Sequence, residues 1–177
     1  MDRREIWKGK IPLKIKHFLF LVGRERIPCA ANLVKRNWKG GDEFCILCAK
    51  IETPNHVMFR CPVAIFSWCV MKEALNLQKL PVSFWECMGL RRDKGTRKVW
   101  VLLVASLCWA VWLTRNDWVF NDILIKSPLH IVYRALAFAQ KWSVLLKEEE
   151  AAVLEQWCEA LLDKLAQVKQ HCLPNSL

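Results

Sequence analysis

The chain has 177 residues, with 27 Lys and Arg against 17 Asp and Glu, a formal net charge of +10. It is 54% hydrophobic and holds 10 Trp and 9 Cys, enough apolar material to exclude disorder as the main state, while 6 Gly and 7 Pro exclude a collagen-like or low-complexity chain. Such a length fits one domain or two small ones, and the positive balance favours polyanionic partners, nucleic acid before anionic membrane.

The N-terminus, Met1 to Trp7, is charged and leads into Lys8 and Lys10 with no apolar stretch of the signal-peptide kind. An odd cysteine count without such a signal predicts a reducing, intracellular setting, nucleus and cytoplasm not distinguished, with the thiols as core residues or metal ligands. The positive charge is unevenly placed. Residues 1–61 hold 13 Lys and Arg against 6 Asp and Glu, and residues 62–177 hold 14 against 11. Besides Arg3, Arg4 and Lys39, the early excess comprises Lys8, Lys10, Lys14, Lys16, Arg24, Arg26, Lys35 and Arg36. These eight are the candidate phosphate contacts; the plain alternative is a set of solvated helix faces.

Pro12 can open a helix through Val22, with Ile15, Phe18, Leu19 and Val22 at helical spacing. Residues 24–28 read as a connector, residues 30–37 as a short helix, and Gly40-Gly41 as its end. Thr53-Pro54 signals a helix start, placing His56 in the first turn of a short helix ending near Arg60. Pro62 opens the next helix, with Ile65, Phe66, Cys69, Val70 and Leu75 on one broad face. Residues 76–90 have no clear periodicity, although Trp85 suits a core anchor, and residues 91–97 form a basic loop containing Arg91 and Arg92. Val99 to Phe120 is predicted as a central helix, apolar nearly all round. Its longest apolar run, Val99 to Leu113, has 15 residues, short of a ~30 Å hydrocarbon core at ~1.5 Å per residue. After Ser127-Pro128 a stripe of Ile131, Ala135, Phe138, Trp142 and Leu145 follows. Beyond Glu148-Glu149-Glu150 a two-heptad seam runs through Leu154, Cys158, Leu161, Leu165 and Val168, suited to packing on the domain or on a partner. No strong hairpin signal appears. The expected fold is mainly α, a small zinc-stapled N-terminal module (1–76) packed on a helical bundle (77–177).

The pattern that carries chemistry is Cys45-Ile46-Leu47-Cys48, then His56, then Cys61. Two thiolates two residues apart can clip one face of a tetrahedral metal from a single turn, and a His and a further Cys complete four N/S ligands, the preference of structural zinc. Four protein ligands leave no open position, so one structural Zn2+ is expected. The competing reading makes them small buried hydrophobes, as for Cys69, Cys87, Cys108 and Cys158. Ala49 follows Cys48 where such turns favour left-handed backbone, a cost of about 1 kcal/mol against ~10 kcal/mol or more from the metal.

These residues resemble a known family, the zinc-binding domain found after the reverse transcriptase in plant non-LTR retrotransposons. The resemblance rests on Ile6-Trp7, Ile11 to Leu19, Arg26-Ile27-Pro28, Asn32-Leu33, Arg36, Cys45, Cys48, Glu52-Thr53, His56-Val57, Phe59, Cys61-Pro62 and Trp68, with a looser second block from Val111 to Phe120. The family often has Trp near Phe20 and Thr where Cys29 stands. An aromatic-x-Asp-Asp polymerase turn is absent, as is a four-carboxylate RNase H pattern, so the resemblance implies the accessory domain without its catalytic partner.

The first functional expectation is therefore a non-catalytic zinc-binding accessory domain that binds RNA or single-stranded DNA, with Trp7 and Trp38 as exposed aromatics for base stacking. The resemblance adds a role in holding template RNA near the polymerase. The second is a zinc-stabilised structural or interaction domain, docking on a reverse transcriptase domain or on itself through the C-terminal helices, or else a non-functional remnant. An enzyme using Cys29 or another free thiol with His17 or His130 has no supporting motif, and neither a membrane nor a small-molecule substrate is expected.

Overall fold

The computed structural model describes residues 4–90 and 93–172, with the side chains of 171 and 172 left aside. Arg3, Arg91 and Arg92, counted above among the basic residues, lie outside the described residues. The described chain is helical, with a lone antiparallel bridge between Phe44 and Ile51.

Two short helices, α1 (Arg4–Lys8) and α2 (Leu13–Gly23), begin the chain. In α2 the four residues expected to face inward, Ile15, Phe18, Leu19 and Val22, are the buried ones. Pro12 stands at the N-cap, just before the first helical residue, where its missing N–H costs nothing. A third short helix, α3 (Ala30–Val34), ends in a turn at Asn37, whose φ of 62° lies in the left-handed region. A loop then leads to a π-helical turn, His56–Arg60, which runs into α4 (Pro62–Ala74) with Pro62 in its first turn.

The face of α4 turned inward differs from the expectation. Ala64, Ser67, Trp68, Val70, Met71 and Leu75 are buried, whereas Ile65 is exposed and Phe66 and Cys69 are half-buried. The reason is Trp68. Its indole N–H donates to the Met58 carbonyl at 2.8 Å and its ring stacks on Phe59 at 5.4 Å, so the helix rotates to place the largest side chain against the π turn. In the stretch without clear periodicity, α5 (Phe84–Gly89) buries Phe84, Cys87 and Met88; Trp85 is half-buried and its N–H reaches the Gly23 carbonyl at 3.0 Å.

The organising element is α6 (Arg97–Asn121), which is buried on all sides from Val99 to Cys108. At 25 residues it is long and apolar enough to cross a bilayer, so length does not argue against a span as the 15-residue run had suggested. Its surroundings do: 83% of its most apolar window is enclosed by the protein. Ser106 satisfies its hydroxyl within the helix, donating to the Leu103 carbonyl at 2.8 Å. On α6 pack α2, α5, the π turn and α7 (Leu129–Trp142), the last making the broadest contact. From the predicted α7 stripe, Ile131, Ala135 and Trp142 are buried and Phe138 stacks on Trp142 at 5.4 Å. Leu145 leaves the stripe, since the chain tightens into a 3-10 turn at Ser143–Leu145.

The last helix, α8 (Glu148–Cys172), lies against α4, α6 and α7. Its seam, Leu154, Cys158, Leu161 and Leu165, is buried within this same chain, with Val168 half-buried at the end. One contiguous core runs from Ile6 through α6 to Leu165. The fold is thus mainly α, with the cysteine- and histidine-bearing loop set on a helical body.

Candidate metal centre and basic surface

The loop between α3 and the π turn builds the candidate centre. Glu52 N–H donates to the Glu43 carbonyl and Cys45 N–H to the Lys50 carbonyl, both at 2.8 Å, which closes residues 43–52 into a hairpin. At its tip Ala49 N–H donates to the Cys45 carbonyl at 2.8 Å, turning the chain so that Cys45 and Cys48 face the same side. Ala49 has φ 53°, the left-handed backbone expected after the second cysteine of such a turn.

The other two donors come from the π turn. Thr53 Oγ1 accepts from His56 N–H at 3.1 Å, as the cap reading anticipated. The chain then takes one extra residue per turn, with Cys61 N–H donating to the His56 carbonyl at 2.7 Å. In an α-helix, residues five apart stand about 140° around the axis at ~100° per residue. The wider register brings His56 and Cys61 to one side, and π turns of this kind concentrate at functional sites.

Together Cys45, Cys48, His56 and Cys61 place their ligand atoms within 4.8 Å of one another. Cys45 Sγ lies 3.9 Å from Cys61 Sγ, and Cys48 Sγ lies 3.3 Å from His56 Nε2. A tetrahedral zinc with Zn–S ~2.3 Å and Zn–N ~2.0 Å requires donor separations of roughly 3.5–3.8 Å, so the quartet fits one zinc ion. Three of the four are buried and Cys48 is half-buried. The sulfurs are electrostatically poised. The Cys61 thiol beside Cys45 holds Cys45 down to about 4, and the same contact, together with burial, pushes Cys61 up. Two sulfurs so placed compete for one proton; a divalent cation between them lets both be thiolates.

A buried ion pair ties the centre to the body. Arg115, on α6, donates from Nη2 to Glu52 Oε1 at 2.6 Å and from Nε to Oε2 at 3.3 Å. Glu52 Oε1 also accepts from Ala30 N–H at 2.8 Å, at the start of α3. Their side chains are 1% and 8% exposed, respectively for Glu52 and Arg115. Both belong to the blocks that carry the family resemblance, yet their pairing across 63 residues had no local signal.

The eight basic residues lie on α1, α2, the connectors that follow them and the turn after α3. Along α2 and its C-cap, Lys16, Phe20 and Arg24 follow at four-residue spacing; Lys16 Nζ donates to the Trp7 carbonyl at 2.8 Å, Trp7 packs on Phe20 at 6.0 Å, and the Arg24 guanidinium lies 4.8 Å over Phe20. Lys14 points elsewhere, over Trp109 at 5.3 Å. Lys8 lines an open cleft of about 450 Å³ with Lys94, Arg97 and Lys98, three cations beyond the expected set. Arg26 and Arg36 meet where Arg36 donates to the Arg26 carbonyl at 3.3 Å, with Lys35 adjacent, while Lys10 is exposed in the connector after α1. None of the eight pairs with a carboxylate among the described residues. The thiol and imidazoles of the enzyme reading are apart in kind: Cys29 is fully buried, its thiol pushed up by that burial, while His17 and His130 are exposed.

The donor set and its geometry define a closed site of the structural-zinc class. Residues 1–68 match the family model described as zinc-binding in reverse transcriptase. No curated protein and no solved structure matches the chain. The matched segment carries all four donors, so the N-terminal part is similar to that zinc-binding domain in both sequence and site.

Proposed function

We propose that the protein is an accessory domain that binds single-stranded nucleic acid, RNA foremost, with no catalysis of its own and with one structural zinc held by Cys45, Cys48, His56 and Cys61. The observation that carries the reading is the α2 row. Trp7 is 44% exposed against Phe20, with Lys16 and Arg24 on either side and no carboxylate neutralising them among the described residues. An aromatic face between uncompensated cations suits a base stacked between two phosphates, as in single-strand binders that lack sequence preference. A setting that keeps thiols reduced follows from three cysteine ligands and the buried free thiols.

The test is a titration of the full zinc-loaded chain with a single-stranded oligoribonucleotide at stepped salt. Affinity should fall with salt, log K against log salt having a slope of roughly −0.7 per phosphate contacted. Arg24→Ala should weaken binding and make that slope shallower by about one contact. Absence of any affinity at low salt would overturn the reading.

A further inference from the structure

A second aromatic feature lies beside the metal centre, away from α2. A cleft of about 160 Å³ opens between the turn after α3, the cysteine hairpin and the last turns of α6. Trp38, Phe44 and Phe120 stand around it, respectively 43%, 49% and 62% exposed, and the Glu52–Arg115 pair lies along its wall. Trp38 is seated in advance. A Cβ on Gly40 would meet its ring at 2.2 Å and one on Gly41 at 3.4 Å, so two residues without side chains let the indole lie against the backbone. The Arg115 guanidinium is 5.6 Å from the Phe120 ring and held on its other edge by Glu52.

Three large aromatic rings exposed around one cleft make an apolar lining of the kind that ligand grooves use. A cleft of this size takes an inserted planar ring and leaves no room for a peptide helix. The charge around it selects the class of ligand. Lys35 and Arg36 sit in the turn between Leu33 and Trp38, Lys39 follows Trp38, and Lys50 precedes Ile51 on the hairpin. All four flank the cleft in sequence, are exposed and are unpaired with carboxylates among the described residues, against Asp42 on the cleft wall and Glu43 next to it. A ligand that joins planar rings to regularly spaced negative charge is a nucleic-acid strand with its bases unstacked.

We infer that this cleft receives one base of a single-stranded nucleic acid, held among Trp38, Phe44 and Phe120, while Lys35, Arg36, Lys39 and Lys50 face the flanking phosphates. The inference rests on the nucleic-acid reading above and adds a second contact point, completed by α6 residues outside the family-matched segment 1–68. A duplex, whose bases remain stacked, would not enter.

The experiment uses the full chain with zinc and a single-stranded oligoribonucleotide carrying 4-thiouridine, photocrosslinked and mapped by mass spectrometry, alongside affinity measurements on variants. Adducts are expected on peptides containing Trp38, Phe44 or Phe120. Trp38→Ala and Phe120→Ala should each weaken single-strand binding roughly tenfold, the scale of one stacked base, with the salt slope unchanged. Zinc content is measured in parallel. If Trp38→Ala loses the metal, Phe120→Ala carries the test, since that ring is largely exposed and outside the hairpin. Wild-type affinity in Phe120→Ala, adducts confined to the α2 row, or equal affinity for a duplex would overturn the cleft while leaving the general function standing. Loss of all binding in the wild-type chain would overturn both.

Discussion

Glu52 is the residue on which three parts of the molecule converge. Its carboxylate receives Arg115 from α6 and the Ala30 amide at the start of α3, and its backbone closes the cysteine hairpin through Glu43. Two charges taken this far from water recover their desolvation cost only through such complete bonding. Removing one partner leaves the other charged and buried. Arg115→Met or Glu52→Gln should therefore destabilise the fold by about 3–5 kcal/mol in urea unfolding, and the double replacement by less than the sum of the two. Equal, additive losses would show that the pair does not act as a unit. The resemblance had marked both residues, but in separate blocks; only the folded chain makes them neighbours.

Among the elements, the core-facing thiols of α5, α6 and α8 share a consequence. Burial pushes Cys108 up to about 12, pushes Cys158 up to about 11 and raises Cys87 well above the ordinary value near 9. In the unfolded chain these thiols ionise near 9, so at high pH the unfolded state binds fewer protons than the folded one. Their contribution is fully present below pH 9 and is lost as pH rises through about 11 to 12. Urea midpoints should be flat from pH 7 to 8.5 and fall between pH 9 and 11. Replacing Cys158 by Ala should flatten part of that fall, whereas an unchanged pH profile would assign the loss to other groups. The same burial protects these thiols from alkylating reagents at neutral pH. Element by element, α2 and α6 were legible in advance because their apolar spacing repeats over whole turns. The buried face of α4 was not, because Ile65 and Phe66 are as apolar as Ala64 and Trp68. What rotated the helix was the bond from Trp68 to Met58, a contact made by the fold.

At the scale of the molecule, the loop that carries Cys45 and Cys48 sits at the edge of one core whose bulk is built by the helices. The hairpin of residues 43–52 has few buried apolar side chains beyond its ligands, and Phe44, Ile46 and Ile51 are exposed. The helices α6, α7 and α8 bury their apolar faces against one another and carry none of the four ligands. Chelation at neutral pH should accordingly strip amide protection from residues 43–61 in hydrogen exchange while residues 99–111 stay protected, with little loss of far-UV helix signal. A global collapse on chelation would mean that the body depends on the centre after all. The α8 seam is buried within this chain, against α4, α6 and α7.

The amino-acid order alone settled the helical class, the central helix and the four zinc donors, since each is written in spacing over at most a few turns. Periodicity of 3.6 needs no distant partner to be read, and Cys-x2-Cys with a nearby His and Cys is a local geometric statement. The π register that swings His56 and Cys61 together, the Glu52–Arg115 bond and the meeting of Trp38 with Phe120 were decided by the tertiary structure. Each depends on packing or hydrogen bonds that only the closed chain makes, and for Glu52 with Arg115 and Trp38 with Phe120 the sequence separation carries no information about distance.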